Sequence, residues 1–149
     1  MLKCAPIITP DGVRDALDFA RDCYASMEHT AKGEEFFSRE LEFARINGGL
    51  LAGSLRLWGL ADSDLRAVCA LEDGSQVKFI FVEERYRRVG LGSVLIEAMS
   101  DYAAEQHADA ITAYATRESA GFFTALGFVP ISAMEERWGL EIVRVKLEL

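Results

Sequence analysis

The stretch that decides the fold is FIFVEERYRRVGLGSVLIEAM, residues 79–99. An apolar run ends at Val82, a basic connection follows, and a helical pattern of apolar residues begins at Gly90. A buried strand that leads through glycines into a helix is typical of a sheet with helices on its faces. Gly90 and Gly92 let the backbone turn sharply and approach a ligand closely. We expect an anion to bind where this helix begins, because its first N–H groups are free and its dipole is positive there.

Two better-known phosphate motifs do not fit this stretch. A dinucleotide-binding fingerprint needs a third glycine directly after the first strand. Here position 95 is Leu95, and seven residues separate Val82 from Gly90. A nucleotide-kinase phosphate loop needs Gly-Lys-Ser/Thr, which is absent. Since a bare G-x-G also occurs as an ordinary helix-start turn, the motif alone leaves ligand binding open.

The rest of the chain is divided by hydrophobic periodicity and by turn residues. Strands are predicted at residues 3–9, 50–60, 65–72, 76–82, 108–115, 128–134 and 140–149, with Asp73-Gly74 as a hairpin turn. Helices are predicted at residues 10–27, from 34 to the glycines at 48 and 49, at 90–106, and at 116–126. This order predicts a mixed α/β fold, a mixed sheet with helices on its faces.

Composition limits the classes of function. The 149 residues are 50% hydrophobic and 27% charged, which predicts one domain over residues 1–149. The net charge of −8 disfavours nucleic acid as a partner, because such binding depends on Lys and Arg neutralising phosphates. No apolar run approaches the roughly 20 residues of a membrane span. A poor signal peptide and three cysteines without a C-x-x-C motif predict a cytoplasmic protein with no disulfide and no metal.

With these elements in place, the chain resembles the GNAT superfamily of N-acetyltransferases. That family carries Q/R-x-x-G-x-G/A between its fourth strand and the next helix, matched here by Arg87, Gly90 and Gly92. A second family motif, N-x-x-A-x-x-F-Y-x-x-x-G-F, has its counterpart in TRESAGFFTALGF, residues 116–128. Both motifs have the family's order and separation. The resemblance implies a mostly antiparallel sheet of about seven strands flanked by four helices.

The resemblance also implies acetyl-CoA as co-substrate, no metal, and a primary amine of a small molecule or peptide as acceptor. In the family the glycine loop holds the CoA diphosphate, and the fourth strand bulges away from the fifth to pair with the pantetheine arm. The N–H of Val82 would donate to the thioester oxygen, a role worth roughly 3 kcal/mol per donor. The residues implied in CoA binding lie on this strand, this loop and the second motif: Ile80, Phe81, Val82, Arg87, Arg88, Val89, Gly90, Leu91, Gly92, Ser93, Thr116 and Phe123.

The catalytic side chains depart from the family pattern. The Tyr that often protonates the leaving thiolate is replaced here by Phe123. Tyr114 is the nearest substitute, although an ordinary strand aromatic is the competing interpretation. The family position for a basic Glu is Gln76, so the general base is unknown. Glu28 and His29 lie where the family usually shapes its acceptor site. Glu72 lies near Gln76, although a place beside the Asp73-Gly74 turn is the competing interpretation.

Two alternatives to an active transferase remain from sequence. An acyl-CoA sensor without catalysis is compatible with Phe123 and Gln76, and a different nucleotide-binding α/β module is compatible with the glycine loop alone. The acceptor itself is not predicted, although Trp58 and Trp138 could line an aromatic pocket. The alternating last strand, residues 140–149, also makes a homodimer a prediction.

Overall fold

A computed structural model describes residues 1–27, 29–87 and 89–149. Within them, eight strands, five α-helices and one 3₁₀ turn follow one another. The strands are β1 Lys3–Pro6, β2 Leu55–Ala61, β3 Leu65–Glu72, β4 Gln76–Val82, β5 Ala110–Thr116, β6 Val129–Pro130, β7 Glu135–Arg137 and β8 Leu140–Glu148. The helices are α1 Pro10–Ala25, α2 Ala31–Glu40, α3 Phe43–Ala52, α4 Leu91–Glu105 and α5 Ala120–Ala125, and the 3₁₀ turn is Glu84–Tyr86.

All the strands belong to one sheet in the order β1-β2-β3-β4-β5-β8-β6, and β7 also pairs with β8. Every pairing is antiparallel except that of β4 with β5, which is parallel. The predicted fold class, a mixed and mostly antiparallel sheet flanked by helices, is confirmed. The described residues hold five helices where four were expected, and β7 is an additional strand.

Helices cover both faces of the sheet and form two apolar clusters. On one face, Val13 and Leu17 of α1 and Ile46 of α3 pack against Phe79 and Phe81 of β4. The other face is covered by α4 and α5, and its cluster contains the side chains of Leu95, Met99, Ile111, Phe123 and Phe128. The sheet is therefore a scaffold that presents β4 and β5 between two helical layers.

The prediction of one continuous helix from residue 34 to the glycines at 48 and 49 is wrong. The chain instead breaks at Leu41 and Glu42, so that α2 and α3 are separate helices. Gly49 lies inside α3, where a Cβ atom would come within 2.9 Å of Cγ of Leu55. The helix ends at Gly53, whose φ of 82° is the left-handed conformation that glycine tolerates. Consequently β2 begins at Leu55 rather than at residue 50.

The C-terminal region also differs from its prediction. Only Val129–Pro130 of the expected strand is extended, and β7 forms a hairpin with β8. The turn consists of Trp138 and Gly139, both with positive φ. Since β8 pairs with β5 on one side and with β6 and β7 on the other, it is not a free edge. The homodimer stays a prediction.

Candidate active site

The site is built around a gap between β4 and β5. These parallel strands are paired at one position, Gln76 with Thr112, where the Thr112 N–H donates to the Ser75 carbonyl at 2.9 Å. From there towards Val82 the described residues of β4 have no partner on β5. The sheet is therefore open along the last residues of β4.

A bulge in β4 shapes this gap. The pairing with β3 passes from Leu71 with Val77 to Ala70 with Phe79, which leaves Lys78 as an extra residue. An extra residue bends the strand and reverses the side-chain alternation beyond it. As a result Phe79 and Phe81 pack on the α1 side, whereas Ile80 and Val82 pack towards α4.

The backbone of β4 directs two of the predicted residues into the gap. The Glu83 N–H donates to the Arg66 carbonyl at 2.8 Å, so these residues form a hydrogen-bonded pair next to the paired Ala67 and Val82. Hydrogen-bonded and non-bonded pairs alternate along antiparallel strands. The N–H and C=O groups of Val82 and Ile80 consequently point away from β3 and into the gap.

Phe81 differs from these two neighbours. It is paired with Val68, and by the same alternation its backbone groups point to β3 rather than into the gap. The Phe81 side chain lines a cleft that adjoins the gap. The Val82 carbonyl is not free, because it accepts a hydrogen bond from Nε of Arg87 at 3.3 Å.

Beyond the strand, α4 begins with unused hydrogen-bond donors. Gly90 precedes the helix with φ of 89°, and no side chain caps the helix start. The first helical hydrogen bond runs from the Val94 N–H to the Gly90 carbonyl at 3.2 Å. The N–H groups of Leu91, Gly92 and Ser93 therefore have no acceptor among the described residues, and the first turn carries no acidic residue. Unused N–H groups at the start of a helix can bind an anion.

The connection between β4 and α4 is fixed at its start by ion pairs. Glu83 contacts Nη1 of Arg66 at 2.9 Å and Nη2 of Arg85 at 2.7 Å. Hydrogen bonds from Arg66 and then Arg85 hold the pKa of Glu83 below its usual range. Arg87 and Val89 are exposed further along the loop, and the predicted Arg88 lies outside the described residues.

A cleft of about 510 Å³ adjoins the gap on the side of α1 and α2. Its walls also include β4, β5 and the tip of the β7–β8 hairpin. Five residues predicted for the site line it: Ile80, Phe81, Tyr114, Thr116 and Phe123. The volume lies within the range of small-molecule sites, and the walls are mostly apolar.

The second motif contributes packing and turn geometry to this cleft. Phe123 is 4% exposed and packs edge-on against Phe122 and Phe128, each at 5.1 Å between ring centroids. The Thr116 hydroxyl accepts from the Ser119 N–H at 3.2 Å, and the Ser119 hydroxyl accepts from the Thr116 N–H at 2.9 Å. These side chains hold the turn between β5 and α5.

Tyr114 lies on the cleft wall between two guanidinium groups. The guanidinium carbons of Arg137 and Arg144 lie 5.1 and 5.6 Å from its ring centroid. No described residue forms a hydrogen bond with its hydroxyl group. Tyr114 is therefore held through its ring while its hydroxyl group is unengaged.

A compact ionic cluster lies on the cleft wall, and sequence reasoning missed two of its three members. Nζ of Lys78 is 3.0 Å from Oε1 of Glu40 and 3.3 Å from Oε2 of Glu72. The Lys78 side chain is 10% exposed. Glu72 thus points to the cleft rather than only flanking the turn at Asp73, and Glu40 comes from α2. No local sequence signal joins Glu40 to Lys78, because 38 residues separate them.

The other candidates are distributed differently. Nδ1 of His29 lies 2.7 Å from the Met27 carbonyl, and His29 is not part of the cleft wall. Glu28 lies outside the described residues. Trp58 packs against Tyr102 on the α4 face and does not line the cleft, whereas Trp138 does.

Two further observations concern metals and membranes. Among residues 1–27, 29–87 and 89–149, no group of three or more His, Cys, Asp and Glu side chains is arranged to hold a metal ion. Across the same part of the chain, none of the helices has the length and apolar character required to cross a membrane.

Comparison with known proteins agrees with this geometry. The sequence matches the acetyltransferase (GNAT) domain family over residues 9–149, and no curated protein matches it significantly.

A GNAT-family acetyltransferase from Staphylococcus aureus Mu50 superposes with a TM-score of 0.75 at 13% identity over 99% of both chains. PaiA N-acetyltransferase from Thermoplasma acidophilum, in complex with coenzyme A, gives 0.73 at 12% identity over 99% of both chains. The ribosomal-protein-S18-alanine N-acetyltransferase from Escherichia coli gives 0.72 at 14% identity, over 99% of this chain and 94% of its own. These structures share the fold, and the family match over nearly the whole sequence shows that the chain belongs to the GNAT acetyltransferase family.

Proposed function

We propose that the protein transfers the acetyl group of acetyl-CoA to a primary amine of a small molecule or peptide. One observation carries the proposal: the open edge of β4 leads directly to the unused N–H groups at the start of α4. An extended arm that ends in a diphosphate requires such a combination, a free strand edge beside an anion site. The PaiA relative was solved with coenzyme A.

In this proposal the N–H groups of Leu91, Gly92 and Ser93 bind the diphosphate, and Gly90 provides the turn before them. Arg87 and Val89 belong to the loop around it, and Arg88 is assigned to CoA binding from the sequence alone. The pantetheine arm pairs with the backbone of Ile80 and Val82, while Phe81, Thr116 and Phe123 contact it from the cleft wall. No metal takes part.

The chemical step is the attack of a neutral amine on the thioester carbon. The C–N bond forms, the C–S bond breaks, the nitrogen loses a proton, and the thiolate gains one. The Val82 N–H stabilises the negative charge that develops on the thioester oxygen. Tyr114 is the candidate acid because its hydroxyl group is unengaged on the cleft wall, whereas Phe123 has no proton to give.

A second candidate function is an acyl-CoA sensor without turnover. It is favoured by Phe123 and Gln76, and by Lys78, which pairs with both Glu40 and Glu72. The cleft wall, as far as the chain is described, therefore offers no unpaired carboxylate to take the amine proton.

Calorimetry and a turnover assay separate these functions. Coenzyme A and acetyl-CoA should both bind with heat, and a thiol-reactive dye should report CoA release when a suitable amine is added. Binding without release for any amine in a broad panel would favour the sensor. An absence of binding would reject both functions. We also propose a cytoplasmic location, which the free Cys4, Cys23 and Cys69 support.

A further inference from the structure

The acceptor half of the cleft is lined by a row of aromatic rings. Tyr24 of α1 stacks on Phe37 of α2 with a centroid distance of 3.9 Å and an interplanar angle of 8°. Phe37 then meets Phe81 of β4 edge-on at 5.7 Å. This row leads from α1 across the cleft wall to β4, beside the proposed oxyanion donor. The ring surfaces that face the cleft can stack against a flat apolar group.

Trp138, at the tip of the β7–β8 hairpin, also lines the cleft. Trp138 stacks on Phe36 at 4.3 Å, and its carbonyl accepts a hydrogen bond from the Thr30 hydroxyl. Its φ of 54° lies in the left-handed region, which a bulky residue rarely adopts. This is the conformation that a two-residue hairpin turn requires at both of its central positions, here Trp138 and Gly139. From this turn the side chain of Trp138 lines the cleft.

The charges on the cleft wall balance. Among the described lining residues, Glu40 and Glu72 are offset by Lys78 and Arg137. Both carboxylates lie within 3.3 Å of the Lys78 ammonium group. A polyamine has no free carboxylate here to bind its second charge. A monoamine needs no second carboxylate, and it enters the reaction in its neutral form, which is the form that attacks the thioester.

We infer that the acceptor is a small monoamine with an aromatic ring, bound in the part of the cleft that Trp138, Tyr24 and Phe37 line; this inference rests on the proposed acetyl transfer. The ring fills the aromatic half of the cleft, and the amine reaches towards β4. Trp138 is then a specificity-determining residue for the acceptor and has no part in CoA binding.

The test compares three amines and two variants. The amines are 2-phenylethylamine, 2-cyclohexylethylamine as a match without an aromatic ring, and spermidine as a polyamine. The variants are Trp138→Phe and Trp138→Leu. Both place a side chain at the same positive φ, and only Phe is aromatic. CoA affinity is measured by calorimetry for each protein, and thermal melting checks that each is folded.

We expect kcat/KM for 2-phenylethylamine to exceed that for spermidine at least tenfold. Trp138→Leu should raise KM for 2-phenylethylamine at least fivefold and leave CoA affinity unchanged, while Trp138→Phe stays near wild type. Equal or better use of spermidine, or an unchanged KM in Trp138→Leu, overturns the inference while acetyl transfer stands.

If CoA binds but no amine is consumed, saturation-transfer NMR decides the acceptor class directly. Ring protons of 2-phenylethylamine should receive saturation from the wild-type protein with CoA and lose it in Trp138→Leu. An absent signal overturns the inference. If CoA does not bind at all, the proposed function fails, and the same NMR signal on the free protein still tests the ring site.

Discussion

A Cβ atom built on Gly92 would lie 2.7 Å from Cζ of Phe122, whereas one built on Gly90 would meet nothing within 4 Å. The two glycines of one motif are therefore required for different reasons. Gly90 adopts the left-handed φ of 89° that opens the helix start. Gly92 is buried and makes room for a ring of α5 against α4. Three consecutive residues thus combine the proposed CoA site with the packing of α4 against α5.

Gly90→Asp should weaken CoA binding at least a hundredfold, because it places a carboxylate at the anion site. Gly90→Asn is the matched control, since it has the same shape and backbone demand without the charge. Both variants should melt slightly below wild type, at a cost of about 1 kcal/mol for the left-handed backbone. Calorimetry with CoA measures the difference; equal affinity of the two variants would contradict an anion site here.

Gly92→Ala should destabilise the protein by about 1 to 3 kcal/mol through overpacking against Phe122. Phe122→Leu removes the ring atoms that a new methyl group would meet. The double variant should therefore lose less stability than the sum of the two single variants. Urea denaturation measures the three free energies of unfolding, and strictly additive values would show that the contact is not the cause.

Phe123→Tyr should raise kcat about tenfold or more if the new hydroxyl group protonates the leaving thiolate. Phe123→Leu is the control, because it changes the same ring without adding a hydroxyl group. Steady-state kinetics with acetyl-CoA and the best available amine provide the measurement. An unchanged kcat in a folded Phe123→Tyr variant would indicate that the thiolate is protonated by another group.

Lys78→Met should leave Glu40 and Glu72 without their shared cation and lower the free energy of unfolding by about 1 to 3 kcal/mol. It should also improve spermidine as an acceptor relative to 2-phenylethylamine, because the cleft gains net negative charge. Lys78→Arg preserves the charge and should keep the wild-type order of amines. The same amine preference in all three proteins would contradict the role given to charge balance.

Acid should weaken the contribution of Glu83 to stability. Arg66 and Arg85 hold the pKa of Glu83 below its usual range, so its stabilising effect is complete above the unfolded-state value of about 4.3. The effect is lost as the pH falls through the folded-state pKa. The stability difference between wild type and Glu83→Gln should therefore be present at pH 7 and shrink below about pH 4. Urea denaturation across pH measures it, with Glu84→Gln as control; a difference independent of pH would contradict it.

Local patterns in the sequence predicted much of the fold. The β3–β4 hairpin formed as expected, with Asp73 and Gly74 both at positive φ. Thr9 caps α1 by accepting from the Gly12 N–H at 3.1 Å, and Pro10 is its first residue. The loop up to Gly92 was recognised because its strand, glycines and helix are consecutive in sequence.

The features that the sequence did not predict depend on contacts between distant segments. In QVKFIFV apolar residues occupy both alternating sets, so the bulge at Lys78 is hidden in the pattern. Gly49 resembles a helix end but lies inside α3, where the lack of a Cβ atom makes room for Leu55. Trp138 does not resemble a turn residue, and in the β7–β8 hairpin it contacts Thr30 and Phe36, which are distant in sequence.

The most direct test of the proposed CoA site is an amide NMR titration of the ¹⁵N-labelled protein with coenzyme A. We expect the largest shifts at the N–H groups of Ile80, Val82, Leu91, Gly92 and Ser93. The amides of β1, at the far edge of the sheet, should not shift. Saturable shifts elsewhere with these five amides unchanged, or no shifts at millimolar coenzyme A, would contradict it.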